Sequence, residues 1–443
     1  MSDVGLASRR PAGLLLSGPA GGVLGSAELV AKTTEHPSVI TMDMGGTSYD
    51  VCLIVDGTPT LTDGSYVARH AVALPMFGIH TIGAGGGSIA RVDTGGTLRV
   101  GPQSAGAVPG PACYGRGGVE PTVTDANLLL GYLNPAATFG GTVKLDAGAA
   151  RHAIAERIAG PMGLSVEAAA HGILRMINAH MSNGIRVVSV QQGYDPRDFA
   201  LVAFGGNGPV HAGRQAEDLG IATVLVPRMA GAFSAYGGLG AHTQVDHLTT
   251  WIGECESADP AVLGGVISAL RDRAEQALGN RRLVHEALLA CHYAGQTSEI
   301  WVPLDLWHER VTREAILAAA ESFHREHERE RSFAKRSEKV MIAGAKLTSR
   351  APALPVHTPR EGRVAGGAAA VPRPGSQRRV YFDADTGWTE TAIYSGESVH
   401  AGHRITGPAI IEEPDTTVVV YPGWQCLLDA SQVYRLTRSV GAS

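Results

Sequence analysis

Cysteine is scarce in this chain. Five residues in 443, Cys52, Cys113, Cys255, Cys291 and Cys426, lie far apart with no C-x-x-C pair. That spacing argues against a disulfide framework and a zinc ribbon, and it fits a reducing cytoplasm. Long apolar runs are also lacking. No stretch is long enough to span a bilayer and the N-terminus has no apolar signal segment, so no membrane partner is expected. An excess of one charge is missing too: 37 Lys and Arg stand against 42 Asp and Glu, a net charge of −5. Nothing in that balance points to nucleic acid or an anionic membrane surface. No internal repeat at a fixed period and no heptads are present, which sets aside solenoids and coiled coils.

What is present is a globular composition with much glycine. Hydrophobic residues make up 44%, and the 57 glycines cluster in loops. The length is a prior of roughly three domains. Organisation centres on residues 41–55. Val39 and Ile40 lead in as a β-branched strand, Asp43-Met-Gly-Gly-Thr-Ser48 makes the turn, and 51–55 reads as the returning strand. Gly45 and Gly46 lack a Cβ, so their N–H groups can approach an anion closely. Thr47 and Ser48 add hydroxyls. Asp43 suits Mg²⁺, directly or through water, because that ion prefers hard oxygen ligands. On these residues alone, a plain hairpin with turn glycines is equally open.

Along the chain, an apolar run at 14–16 feeds Ser17-Gly-Pro-Ala-Gly-Gly22 and then a helix over 23–32, which reads either as an anion-facing strand-to-helix turn or as a tight structural one. His80-Thr-Ile-Gly-Ala-Gly-Gly-Gly-Ser88 is a second Gly-rich loop. Residues 101–118 form a long loop of Gly, Pro and small residues, of a kind that is often functional. A helix over 126–133 follows, with Thr124 or Asp125 as its N-cap. The apolar spacing predicts a long helix over 166–192. Residues 199–204, Gly205-Gly-Asn-Gly-Pro209, a helix over 210–219 and a strand over 223–226 make a βαβ unit, whose ligands sit outside the carboxyl ends of its strands. Beyond 239 the pattern predicts strands at 241–251, 288–293 and 299–304 and helices at 260–278 and 313–332. His324 and His327 fall on a charged helix and read as a solvated face rather than a metal pair. Residues 351–379 read as a linker and 380–436 as β-rich.

Several segments together resemble the hydantoinase A / 5-oxoprolinase family. They are Ser17-Gly-Pro-Ala-Gly-Gly22, Asp43-Met-Gly-Gly-Thr-Ser-Tyr-Asp50, His80-Thr-Ile-Gly-Ala-Gly-Gly-Gly-Ser88, Gly110-Pro-Ala-Cys-Tyr-Gly115, Pro121-Thr-Val-Thr-Asp-Ala-Asn127 and Phe204-Gly-Gly-Asn-Gly-Pro209. The resemblance implies an α/β, actin-like (sugar-kinase-like) ATPase core over 1–240, then an α+β domain over 241–350, a linker over 351–379 and a C-terminal β domain over 380–443. It implies ATP and Mg²⁺ as cofactors, a B-type partner subunit, and phosphorylation of a cyclic amide carbonyl for ring opening. Asp43, Gly45, Gly46 and Thr47 match the family's phosphate loop, with Asp43 on the metal. Gly205, Gly206 and Gly208 match its adenosine-side loop. His80 and Asp125 are candidates for handling the substrate or its proton. The family usually carries a preceding domain with its own phosphate loop, and this chain starts after that point. Gly78 stands where the family has Asp before Ile-His-Thr, and Val108 where it has Asp. A ketone carboxylase subunit and a non-catalytic scaffold are the alternatives.

Overall fold

The structure, a computed structural model, describes residues 8, 11–32, 36–62, 65–67, 70–72, 76–136, 138–139, 143–240, 243–279, 282–308, 310–351 and 371–438. Most of the expected linker, 352–370, lies outside them. The chain forms two compact units, one from residues 16–239 and 357–443, the other from 1–15 and 240–356.

In chain order, the first unit contains α1 (Ser17–Lys32), β1 (Val39–Met44), β2 (Tyr49–Val55), α2 (Val123–Leu129), α3 (Val166–Val188), β3 (Ala200–Phe204), α4 (Gly208–Leu219), β4 (Thr223–Pro227), α5 (Phe233–Leu239), β5 (Trp424–Leu428) and β6 (Val433–Arg438). Its nine-stranded sheet runs Arg404–Thr406, β5, β6, β4, β3, β1, β2, Thr58–Pro59, with His80–Ile82 also paired to β2. β1, β3 and β4 are mutually parallel, and β3, α4 and β4 form the expected βαβ unit. β3 and β4 are buried along their whole length, which is why both read as unbroken apolar runs.

Each sheet face has its own helices. Thr41, Asp43 and Phe204 project toward α1 and α5. Met42 and Tyr49 project toward α3 and α4, where the Tyr49 hydroxyl donates to Gln215 Oε1 at 2.5 Å. Here the structure departs from the expectation for residues 14–22. Leu14 and Leu15 are exposed and form no strand, and the Gly-rich segment lies inside α1. Its glycines serve helix packing. A Cβ built at Gly21 would sit 2.1 Å from the Ser234 carbonyl oxygen, and one at Gly22 2.3 Å from the Phe204 ring.

The C-terminal stretch is β-rich, as its alternation predicts. Ser376–Tyr381, Trp388–Ser395, Ala409–Glu412 and Thr417–Val420 form a separate four-stranded sheet, whereas β5 and β6 extend the central sheet through the pairing of β6 with β4.

The second unit is an antiparallel sheet, ordered Thr243–Glu254, Val340–Ala351, Val284–Tyr293, Ile300–Leu304, packed on helices Pro260–Leu278 and Arg313–Arg331. Leu263, Ile267, Leu289, Phe323 and Ile342 fill its core. His324 and His327 are buried here rather than solvated. Nδ1 of His324 pairs with the Tyr293 hydroxyl at 2.7 Å, and Nδ1 of His327 with the Phe333 carbonyl at 2.8 Å. The apolar face of this helix includes them because the Tyr293 ring packs between them. All five cysteines are free and buried. Among the described residues no helix is long and apolar enough to cross a membrane.

Candidate functional site

Asp43 is the penultimate residue of β1 and pairs in parallel register with Phe204, the last residue of β3. The two turns that follow these strands therefore emerge side by side at the carboxyl edge of the sheet, where such sheets place ligands. Both are the Gly-rich turns singled out in the sequence.

The first turn is held from behind. The Gly45 and Gly46 carbonyls accept from the Gly86 and Gly87 N–H groups at 3.0 and 2.7 Å, and the Gly45 N–H donates to the Ser48 carbonyl at 3.2 Å. Gly85 has to be glycine, since a Cβ there would lie 2.6 Å from Gly46 C and Thr47 N. With its carbonyls occupied, the turn presents its other side outward. Gly46 and Thr47 are exposed, and among the described residues neither N–H has a protein acceptor. Two free amides and the Thr47 hydroxyl are what a phosphate needs.

The second turn closes onto the first. Gly205 has φ +79°, the left-handed region open to glycine, and its N–H donates to the Ala230 carbonyl at 2.9 Å. The Asn207 N–H donates to the Met44 carbonyl at 3.0 Å, and its Nδ2 to the Gly45 carbonyl at 3.2 Å. Gly208 begins α4 with its N–H unbonded among the described residues, whereas Pro209 has no N–H and the Val210 N–H donates to the Asn207 carbonyl at 3.1 Å. Thr416 donates its hydroxyl to the Gly206 carbonyl at 3.1 Å.

Asp43 is half-buried between the turns, and Ser234 of α5 donates to its Oδ2 at 2.9 Å. Burial holds its carboxyl above the usual carboxylate range. The Ser234 hydrogen bond works against that shift, and the charge of Asp50, its cross-strand partner, adds to it. Asp50 itself accepts from Ser48 at 3.1 Å and from Thr81 at 2.5 Å. Asp43 and Asp50 form a like-charged pair of hard oxygen donors that a divalent cation would relieve, so the residues suit Mg²⁺. Among the described residues no group of three or more His, Cys, Asp or Glu side chains is arranged as a metal cage. That is compatible with an ion held by one or two carboxylates, phosphate oxygens and water.

Among the described residues, neither of the other two candidates hydrogen-bonds to these turns. His80 pairs with Val51 on the opposite sheet face from Asp43, toward α3, where a Cβ built at Gly184 would lie 3.9 Å from its ring. Asp125 is fully buried. It accepts from the N–H groups of Ala112 (3.2 Å), Cys113 (2.7 Å) and Thr122 (2.8 Å) and from the Thr122 hydroxyl (2.7 Å). Thr122, not Thr124 or Asp125, is the N-cap of α2, and Asp125 completes its capping box. The carboxylate therefore ties the long Gly/Pro loop to α2. Sequence reasoning missed Ser234, Asn207 and Thr416. Asn207 was visible within the Gly-rich turn. Ser234 and Thr416 reach the site from 191 and 210 residues away, with no local motif to mark them.

Comparison with known proteins gives the family and the fold. The family model described as hydantoinase/oxoprolinase matches residues 1–247, and that of the hydantoinase/oxoprolinase C-terminal domain matches 284–439. Caprolactamase subunit alpha of Pseudomonas jessenii is 40% identical over 421 residues, covering 92% of this chain and 59% of its own. The acetone carboxylase beta subunit of Xanthobacter autotrophicus is 30% identical over 441 residues, covering 95% and 60%. The chain thus spans about three-fifths of the length of these relatives. The solved structure of the ATP-dependent caprolactamase from Pseudomonas jessenii matches with a TM-score of 0.77 at 38% identity, over 95% of this chain and 61% of that one. Nucleotide-free acetone carboxylase matches with a TM-score of 0.81 at 28% identity, with the same coverage. The fold is the actin-like ATPase fold, and the chain belongs to the hydantoinase/oxoprolinase family.

Proposed function

We propose that this chain is the ATP-dependent subunit of a cytoplasmic cyclic amide hydrolase, activating the amide carbonyl by phosphorylation for ring opening with a B-type partner subunit. The observation that carries the proposal is the meeting of two turns at one sheet edge: the Asp43 turn with its free Gly46 and Thr47 amides, and the Gly205 turn that leads into α4. The β- and γ-phosphates would lie on the Gly46 and Thr47 N–H groups and the Thr47 hydroxyl. Gly45 contributes its missing Cβ, since its own N–H is bonded to Ser48. The nucleoside would lie along Gly205, Gly206 and Gly208. Asp43, with Asp50 beside it, would hold Mg²⁺, which when bound neutralises phosphate charge.

Phosphoryl transfer asks a protein chiefly for position and charge stabilisation. The amide oxygen attacks the γ-phosphorus, an O–P bond forms, the bond to the β-phosphate oxygen breaks and ADP leaves. One water would then add to the activated carbon as the C–N bond breaks, the nitrogen leaving protonated as the amine and an acyl phosphate remaining. A second water would cleave that acyl phosphate to give inorganic phosphate and the open-chain amino acid. His80 and Asp125 carry no step here; they pack and brace.

The amide reading is preferred to ketone carboxylation because identity to the caprolactamase subunit, 40%, exceeds identity to the acetone carboxylase subunit, 30%. The higher TM-score to acetone carboxylase keeps the ketone reading as the alternative. The test is ADP release by the chain with its partner, offered either a lactam or a ketone with bicarbonate. Lactam-stimulated release supports the proposal. Release stimulated only by ketone and bicarbonate replaces it with the carboxylase reading, and no stimulation by either refutes both.

A further inference from the structure

Asp415 sits in the turn between Ala409–Glu412 and Thr417–Val420, a hairpin far from the nucleotide turns in sequence. The tip lies over both turns that follow the parallel strands β3 and β4. Thr416 anchors it by donating to the Gly206 carbonyl at 3.1 Å. On the other side, a Cβ built at Gly231 would lie 2.6 Å from the Asp415 carbonyl oxygen and 2.9 Å from its Cγ, so the carboxyl group hangs directly over the turn after β4. The hairpin is further pinned to α4 by the Tyr421 hydroxyl, which donates to the Val210 carbonyl at 3.0 Å. Asp415 is exposed, and among the described residues its carboxylate accepts no hydrogen bond and makes no ion pair. Its neighbour Glu413 is by contrast fully engaged by Arg228 and Tyr434.

We propose that Asp415 is the ribose-binding carboxylate of the nucleotide site, accepting hydrogen bonds from the ribose hydroxyls, with Thr416 as the positioning residue that seats it. The assignment rests on the nucleotide reading given above. Thr416 seats the hairpin tip, and the Asp415 carboxylate beside it is exposed with no protein donor among the described residues, so its oxygens are open to hydroxyl groups. It stands beyond Gly205 and Gly206, on the side away from the phosphate turn, where a second negative charge would not oppose the phosphates. Carboxylate-to-ribose hydrogen bonds are the usual way α/β nucleotide sites hold the sugar at strand carboxyl ends.

The test compares Mg-ATP with Mg-2′,3′-dideoxy-ATP in titrations of the purified protein and its Asp415→Ala and Thr416→Val variants. A charge-assisted hydrogen bond is worth about tenfold in affinity or more. The unaltered protein should bind ATP about tenfold more tightly than the dideoxy nucleotide. Asp415→Ala should bind both equally, at the dideoxy level, and Thr416→Val should lose part of the preference. If unaltered protein binds ATP and Asp415→Ala keeps its full preference, the ribose assignment falls while the nucleotide site stands. If the unaltered protein binds neither nucleotide, both fall.

Discussion

Asp43 and Gly205 are so close that a Cβ on residue 205 would lie 2.4 Å from Asp43 Oδ1 and 2.5 Å from the Met44 carbonyl oxygen. The carboxylate and the second Gly-rich turn thus occupy one site, and the left-handed φ of Gly205 makes that fit possible. Gly205→Ala should therefore displace Asp43 as well as strain the turn. The expected cost is on the order of 1–3 kcal/mol of stability, with loss of nucleotide binding. Thermal unfolding and a Mg-ATP titration of the variant check it; a variant with unaltered melting and affinity would show that the turn is loose.

Removing the Asp43 charge should make the empty protein more stable. The folded-state pKa is raised, so this carboxyl favours folding while protonated, and that contribution is lost as pH rises through the raised value. Near pH 7.5, without nucleotide, Asp43→Asn should melt about 1–3 °C higher than the unaltered protein. The difference should shrink toward zero below about pH 4. Scanning calorimetry at both pH values decides it. A variant that melts lower at pH 7.5 would give Asp43 a structural role.

Much of this site was legible from the chain itself, for physical reasons that can be named. Asp43, Gly45, Gly46, Thr47 and the turn at Gly205 stand out because close backbone approach demands glycine and the flanking strands are unbroken apolar runs. The β3–α4–β4 unit follows from the same runs. Harder to see were contacts set by the third dimension. Ser234 and Thr416 come from a different helix and a distant hairpin. Ser17-Gly-Pro-Ala-Gly-Gly22 looked like a loop, yet its glycines let two helices touch. His324 and His327 looked solvated because charged neighbours surround them in sequence, while the helical period turns both toward Tyr293. His80 fell on the far face because a strand alternates, and one residue decides the side.

His211 gives the fold an acid-sensitive element. It lies in α4 between Asn127 and Asn178, 3.2 and 2.9 Å away, and burial pushes its pKa down to about 4. The folded ring stays neutral where the unfolded one charges. Its contribution is complete above the unfolded value of about 6.5 and is lost as pH falls toward 4, on the order of 3 kcal/mol over that range. Urea midpoints measured from pH 7 to pH 4 should fall more steeply for the unaltered protein than for His211→Gln. Parallel curves would refute the assignment.

Asp125 and His80 should separate stability from chemistry. Asp125→Ala strands the donors of the Ala112–Cys113 loop and Thr122, at a cost of about 2–4 kcal/mol. The molecules that remain folded should still bind Mg-ATP with unchanged affinity. His80→Gln should change ADP release by the assembled enzyme less than threefold. A hundredfold loss for His80→Gln would return that ring to the chemistry.

The central claim is that nucleotide sits where the Asp43 and Gly205 turns meet, and calorimetric titration of the purified chain with Mg-ATP tests it most directly. The unaltered protein should bind with one site per chain. Asp43→Asn should weaken binding at least tenfold in the presence of Mg²⁺ and much less in its absence. Equal affinity for the two proteins, with and without Mg²⁺, would contradict the account.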